Sequence, residues 1–310
     1  MKFGLVLTLR VLLLFVVIMG CFMVAGAVSS LAGGSGASDL AARADSASVA
    51  ASTLNALLLM CGFVTLVVSS IVLRARAFGW QLAGALSLAT FGVMTFLYYI
   101  EAQVFLRTRM SPESMKGMLV MGGVFAVLLG PLAVWILGRW GRPSAAVSQP
   151  VAIPAGAWMW MLTAIGVCYV ALYMTFGYFV AWQNPALRDY YGGTDPGSFV
   201  ASIRQNWVMT PWIFPLQFGR GILWALFLVP LIRGFRRSPA ETGFAMALFS
   251  AVWCLQLLFP NPYMPAEVRW SHLVETLGSN LIFGFGVGWL LSHPGAIALK
   301  TLSPSPSRPW

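Results

Sequence analysis

The amino-acid sequence predicts an all-α, polytopic integral membrane protein with about eight transmembrane helices and both termini cytoplasmic. Three observations carry this prediction. Hydrophobic residues make up 59% of the 310 residues and charged residues only 9%, a ratio that cannot clothe a soluble core in a solvated shell. The apolar residues gather into runs of about 20, the length that crosses a hydrocarbon layer of roughly 30 Å at about 1.5 Å per helical residue. The basic residues concentrate in alternate connections, as the positive-inside rule requires. Evenly spaced ten-residue segments of alternating polarity, the signature of a membrane barrel, are absent from the sequence.

Taken in order, Lys2 and Arg10 lead into the first apolar run, placing a helix at 11–30. The run also fits the hydrophobic region of a signal peptide, with small residues at Ala25-Gly26-Ala27 and a loose lipoprotein-like Ile18-Met19-Gly20-Cys21. Its length exceeds the roughly 7 to 15 residues of a signal, which favours a retained helix. Residues 31–50 are small and polar and are expected to form an external flexible loop. Their Gly33-Gly34-Ser35-Gly36 lacks the strand-to-helix context of a phosphate loop.

A second helix at 52–73 stops at Arg74 and Arg76, and a third at 78–100 ends in Tyr98-Tyr99-Ile100-Glu101, an interfacial composition. A polar connector follows, in which Ser111-Pro112-Glu113 has the chemistry of a helix start. The fourth helix, 117–138, carries Gly122, Gly123 and Gly130-Pro131, so close packing and a kink are expected there. Residues 143–154, rich in Pro and Ser, read as an internal linker between two groups of four helices. The fifth helix is placed at 157–180, followed by a long external loop at 181–210. Within that loop Tyr190-Tyr191-Gly192-Gly193 and Asp195-Pro196-Gly197 are turn chemistry, and Ser198–Trp207 reads as a short interfacial helix. The sixth helix, 212–232, stops at Arg233, Arg236 and Arg237, the seventh, 242–259, at Pro260-Asn261-Pro262, and the eighth covers 267–292. Residues 1–300 thus form one membrane domain, and the tail 301–310, with three prolines, is expected to be disordered.

With the amino terminus inside, the inner segments hold Lys2, Arg10, Arg74, Arg76, Arg139, Arg142, Arg233, Arg236, Arg237, Lys300 and Arg308 against a single acid, Glu241. The outer segments hold seven basic and seven acidic residues and are neutral. The net charge of +10 is therefore a topology signal and an attraction to anionic lipid, with no folded basic domain to present to a nucleic acid. An inner (plasma) membrane of the bacterial type is the expected location.

Ionisable groups at membrane depth are costly and mark function. Those in this chain are Arg220 in the sixth helix and His272 and Glu275 in the eighth, with Arg269 and Glu267 at its outer edge and Glu101 at the outer edge of the third. Counting about 1.5 Å per residue, Arg220 and Glu275 each lie roughly 12 Å from the outer ends of their helices, so an Arg220–Glu275 ion pair is expected. Arg269, His272 and Glu275 fall broadly on one helix side, and Gln217 lies a turn from Arg220. Together they are expected to line an outward-facing polar pocket. Arg220, Gln217, Arg269 and Glu101 are the candidate ligand-binding residues, and His272 and Glu275 the candidate catalytic ones.

No metal or cofactor is called for. His272-Leu273-Val274-Glu275 lacks further ligands at zinc spacing, His293 lies roughly 30 Å from His272 along the helix, and the four cysteines sit singly in separate apolar runs. Gly284-xxx-Gly288 in the inner half of the eighth helix reads as a packing surface. Two functional classes are compatible with these residues. One is a carrier, receptor or membrane subunit that binds a small, anionic or lipid-like ligand in the polar pocket near Arg220, His272 and Arg269. The other is an intramembrane enzyme acting on a lipid or lipid-linked substrate, with His272 or Glu275 as acid-base and Arg220 or Arg269 holding an anionic head group. The small soluble mass also suits a subunit with a membrane protein partner.

Overall fold

A computed structural model of the chain describes residues 2–32, 46–141, 154–235, 237–261 and 263–293. Most of the expected loop at 31–50, nearly all of the linker at 143–154, Arg142, Arg236, Lys300 and the tail at 301–310 lie outside the described residues.

The chain is a bundle of helices, and eight of the described helical segments are long and apolar enough to cross a membrane. The α-helices are α1 (Lys2–Leu31), α2 (Ser46–Arg74), α3 (Gly79–Thr90), α4 (Leu97–Phe105), α5 (Pro112–Ile136), α6 (Ala155–Phe176), α7 (Pro185–Tyr191), α8 (Phe199–Met209), α9 (Ile213–Phe235), α10 (Pro239–Val252) and α11 (Ala266–Leu291). Three segments of other helical pitch are fused into spans. A π-helix at Phe91–Phe96 joins α3 to α4, another at Gly177–Ala181 continues α6, and a 3₁₀-helix at Trp253–Leu258 continues α10.

Local chemistry sets several starts. Ser111 accepts from the Ser114 N–H with Pro112 in the first turn, and Ser238 and Glu241 form a reciprocal capping box at α10. The stretch expected as a long loop is partly ordered as α7, capped by Asn184 and closed by Gly192 at φ 70°, and α8, capped by Ser198. Gly192 suits that position because a left-handed backbone carries no penalty without a Cβ.

Neighbouring helices form a closed circuit, α1–α5–α3–α9–α6–α11–α10–α2 and back to α1. Its middle is filled rather than hollow: Trp224, Trp253, Phe125, Phe249 and Phe283 are fully buried, with Phe125 and Phe249 both packed edge-on against Trp253. The outer surface is the inverse of a soluble protein's, with Leu12, Val16, Phe63, Leu66, Val127, Trp135, Val167 and Ile282 all exposed, a surface that only hydrocarbon can cover without penalty. Gly284 and Gly288 lie at the α10–α11 contact, where an added Cβ would come within 2.6 Å of the Met246 and Thr242 carbonyl oxygens respectively. They let the two backbones approach within the bundle.

The two ends of the bundle differ. At one, arginines brace backbone carbonyls: Arg139 donates to Ala75 and lies over the Phe78 ring, Arg237 donates to Arg74, and Arg74 pairs with Glu241 at 3.8 Å. The other end has arginine–carbonyl bonds of its own, from Arg109 to Tyr190 and from Arg188 to Trp182, and adds ties between neutral groups. Asn184 donates to Ser271 at 2.6 Å, the Tyr190 hydroxyl donates to the Tyr263 carbonyl, and the Tyr263 and Ser114 hydroxyls are 2.9 Å apart.

Candidate functional site

The candidate residues meet near this second end. On α9 the sequence places Gln217, Arg220, Gly221, Trp224 and Leu228 at helical spacing, and that face is the buried one. Arg220 is therefore driven into the interior with 2% of its side chain exposed. There it donates to Glu101 at 2.7 Å, to Gln217 at 2.6 Å and to the Leu97 carbonyl at 3.3 Å. Its guanidinium also faces the Tyr169 ring at 5.6 Å.

The ion pair expected between Arg220 and Glu275 is thus replaced by two pairs. Arg220 takes Glu101, and Glu275 takes His272, whose Nδ1 is 2.8 Å from the Glu275 carboxylate. Two features absent from a regular helical count account for the change. The third span runs on to Phe105 instead of ending at Ile100, so Glu101 lies inside a helix. The π-helix at Phe91–Phe96 widens one turn of that span, which turns every later side chain around the axis relative to a 3.6-residue wheel. Arg269 takes a different role from the one expected. It donates to the carbonyls of Leu257, Leu258 and Phe259, closing the end of the 3₁₀-helix, and it is not part of the cavity wall.

His272 and Glu275 are one turn apart on α11. The other ring nitrogen of His272, Nε2, is 3.1 Å from the Tyr191 hydroxyl at the end of α7. Burial pushes the Tyr191 phenol well above its ordinary range, so the hydroxyl keeps its proton and can donate to Nε2 of a neutral ring or accept from a charged one. Nδ1–H then donates to Glu275, giving a hydroxyl–imidazole–carboxylate chain. This arrangement aims the imidazole in either charge state.

Glu101, Arg220, His272 and Glu275 wall one cavity of about 410 Å³. Ten of the remaining wall residues are aromatic, including Tyr98, Tyr169, Tyr173, Trp182, Tyr191 and Trp224. Residues from all three irregular segments or their immediate continuations reach it: Tyr98 and Glu101 after the first π-helix, Gly177 and Ala181 in the second, and Gln256 and Leu257 in the 3₁₀-helix. Such breaks in helical pitch recur at functional sites because they turn side chains and backbone groups toward a cavity. Beside it, the Cys254 thiol lies 3.4 Å from the Tyr98 hydroxyl and accepts from Asn280 at 3.1 Å.

Among the described residues, three buried donors here have no hydrogen-bond partner: Arg220 Nε, Gln217 Nε2 and Trp224 Nε1. Leaving such a group unsatisfied costs about 1–3 kcal/mol. Arg220 and Trp224 are cavity residues and Gln217 is not, and the three nitrogens themselves are buried behind the wall rather than open to the space. Among the described residues no group of three or more His, Cys, Asp or Glu side chains is arranged to hold a metal ion.

Sequence reasoning missed the aromatic wall and Tyr191. The tyrosines are spaced along α4, α6 and α7 with no motif, and the only visible signal was the density of aromatics from Tyr169 to Tyr191. Comparison with protein-family models, with curated proteins and with solved structures gave no match.

Proposed function

We propose that the protein binds a small amphiphilic or lipid-like molecule in this cavity, as a carrier, receptor or membrane subunit. The observation that carries the reading is the convergence of the deep ionisable groups, from three different spans, on one aromatic-walled space of about 410 Å³. That volume and wall suit a small organic molecule with an apolar body and a few polar atoms. The expectation of an anionic ligand loses support, because Arg220 is already matched by Glu101 and Arg269 by backbone carbonyls.

The test is native mass spectrometry of the protein released from mild detergent. The expected result is a retained small molecule in the wild type that is lost in Gly177→Leu. Gly177 lines the cavity and a Cβ there meets only the Glu275 carboxylate, at an ordinary contact distance of 3.7 Å, so the larger side chain takes up cavity space. Equal retention by both proteins, or none by the wild type, would count against the reading.

The location belongs to the same proposal. The end braced by Arg74, Arg139 and Arg237 is taken as the cytoplasmic side of a plasma membrane, following the positive-inside rule, which puts the cavity in the opposite leaflet. Labelling of Asp195→Cys by an impermeant thiol reagent in intact cells is expected, and protection of that site would reverse the orientation.

A second reading is favoured by the Tyr191–His272–Glu275 chain: an intramembrane enzyme in which His272 is the general base, oriented by Glu275. Fluorescent ester and phosphodiester lipids are the probes. Turnover that vanishes in His272→Ala at an unchanged melting temperature would support it, and the absence of any turnover would leave the binding role alone.

A further inference from the structure

This inference rests on the ligand-binding reading of the cavity and names the class of ligand. We infer that the cavity holds a monovalent organic cation, and that the cation enters in exchange for a proton carried by His272.

The reasoning begins with charge. The charged or chargeable groups in the wall, apart from phenols, are Glu101, Arg220, His272 and Glu275. Arg220 and Glu101 cancel, in contact at 2.7 Å. With His272 neutral, the remainder is one negative charge on Glu275, held in a space that is mostly apolar. An uncompensated carboxylate at such a site is costly, and one positive charge neutralises it. That charge has two possible carriers, a proton on His272 or a cationic ligand, and the low-dielectric setting disfavours having both at once.

The wall supplies what an organic cation needs. Tyr98, Tyr173, Tyr191 and Trp182 line the space, and aromatic faces attract ammonium groups, strongly so when water is excluded. Glu101 keeps 29% of its side chain exposed beside Arg220, so it adds a second carboxylate edge. Among the described residues no three His, Cys, Asp or Glu side chains gather to hold a metal ion.

The exchange balances as follows. In the cation-free state His272 is an imidazolium, with Nδ1–H donating to Glu275 and Nε2–H facing the oxygen of Tyr191. When the cation arrives, the Nε2 proton leaves to water, and the Tyr191 hydroxyl rotates to donate to the freed nitrogen. One positive charge enters and one departs, and no bond other than N–H is broken. The other groups that face His272 and Glu275 across the cavity, Tyr169 and Tyr173 on α6, Tyr98 on α4 and Tyr191 on α7, stay neutral in the working pH range, and Arg220 on α9 stays charged. Cys254, behind Tyr98, is a thiol held by Tyr98 and Asn280. Hence His272 is the group that sets the pH dependence.

The experiment is isothermal titration calorimetry of the full chain in lipid nanodiscs with three probes of one shape: benzyltrimethylammonium, its neutral isostere neopentylbenzene, and the anion phenylpropanoate. The cation is expected to bind at least tenfold more tightly than either other probe at pH 7.5. Its affinity is expected to fall as the pH is lowered to 5.5, by at most about tenfold per pH unit for one proton displaced per cation. Runs in two buffers of different ionisation enthalpy are expected to show close to one proton released per cation at the lower pH. His272→Gln is expected to bind the cation with no pH dependence and no proton release, and Glu275→Gln to lose the preference for the cation. Equal binding of cation and neutral isostere overturns the cation inference and leaves the cavity reading standing. Cation binding without proton release overturns the exchange. Failure of all three probes to bind, together with a Gly177→Leu variant that retains the wild type's copurifying molecule, overturns the cavity reading itself.

Discussion

Two ion pairs share one cavity in this bundle, and they are built in opposite ways. Arg220 and Glu101 are 119 residues apart and bind α9 to α4, with Gln217 and the Leu97 carbonyl completing the guanidinium's partners. His272 and Glu275 are one turn apart on a single helix and bind that helix only to itself, with one further contact to Tyr191 on α7. Both pairs bear the cost of bringing ionisable groups into a membrane-spanning bundle. In the first that cost is offset by a link between spans, which is a structural role. In the second no comparable link exists, so the pair is explained by what it does in the cavity rather than by what it holds together.

Substitutions separate these roles, and the largest expected effect is on the linking pair. Glu101→Gln leaves the Arg220 charge buried without a counter-charge, and losing one partner of such a pair costs about 3–5 kcal/mol. The expected outcome is a large fall in the thermal unfolding temperature in mild detergent. Replacing both partners, Arg220→Met with Glu101→Leu, is expected to restore most of that loss, because the desolvation of two charges disappears along with their attraction. If the double variant is as unstable as the single one, Arg220 does more than tie helices.

A helix contact with no charge in it calibrates the comparison. Gly284→Leu forces side-chain atoms against the Met246 carbonyl, which a Cβ alone would approach within 2.6 Å, and overpacking of this kind costs about 1–3 kcal/mol. The same unfolding assay is expected to place it below Glu101→Gln. Arg269→Gln comes next, at about 1–2 kcal/mol for the carbonyl bonds it loses. It is expected to leave cation affinity unchanged, since Arg269 braces the 3₁₀-helix and stands outside the cavity wall. A change in affinity at constant stability would return Arg269 to the ligand site. The smallest expected stability effect is that of Glu275→Gln, within about 1 kcal/mol, because the pair it breaks joins no two spans and an amide still accepts from the imidazole.

Much of the architecture was legible in the sequence because hydrocarbon imposes its own length on every span. The runs ending at Arg74, Arg139 and Arg233, and the cap at Ser111-Pro112, mark helix limits by composition alone. The need of Arg220 for a carboxylate was legible too, since a buried guanidinium without one is rarely tolerated. Which carboxylate it takes was not, because that depends on azimuth, and the π-helix at Phe91–Phe96 changes the azimuth of Glu101 without any signature in its Phe-Gly-Val-Met-Thr-Phe sequence. The common helix side of His272 and Glu275 follows from their spacing, although the sequence reading gave Glu275 to Arg220 rather than to His272. Tyr191 is the reverse case. It lies in a stretch that reads as turn chemistry, and only the folding of α7 against α11 brings its hydroxyl to the imidazole. Local relations were therefore readable and cross-helix relations were readable only in depth.

The most direct test of the difference between the two pairs is a parallel measurement on two isosteric variants, Glu101→Gln and Glu275→Gln. Unfolding temperature and benzyltrimethylammonium affinity would be recorded for both in the same nanodisc preparation. The expected result is a divided one: Glu101→Gln unfolds many degrees earlier, while Glu275→Gln melts close to the wild type and loses at least tenfold in cation affinity. If Glu275→Gln proves as destabilising as Glu101→Gln, or if it binds the cation as the wild type does, the assignment of one pair to structure and the other to ligand handling is contradicted.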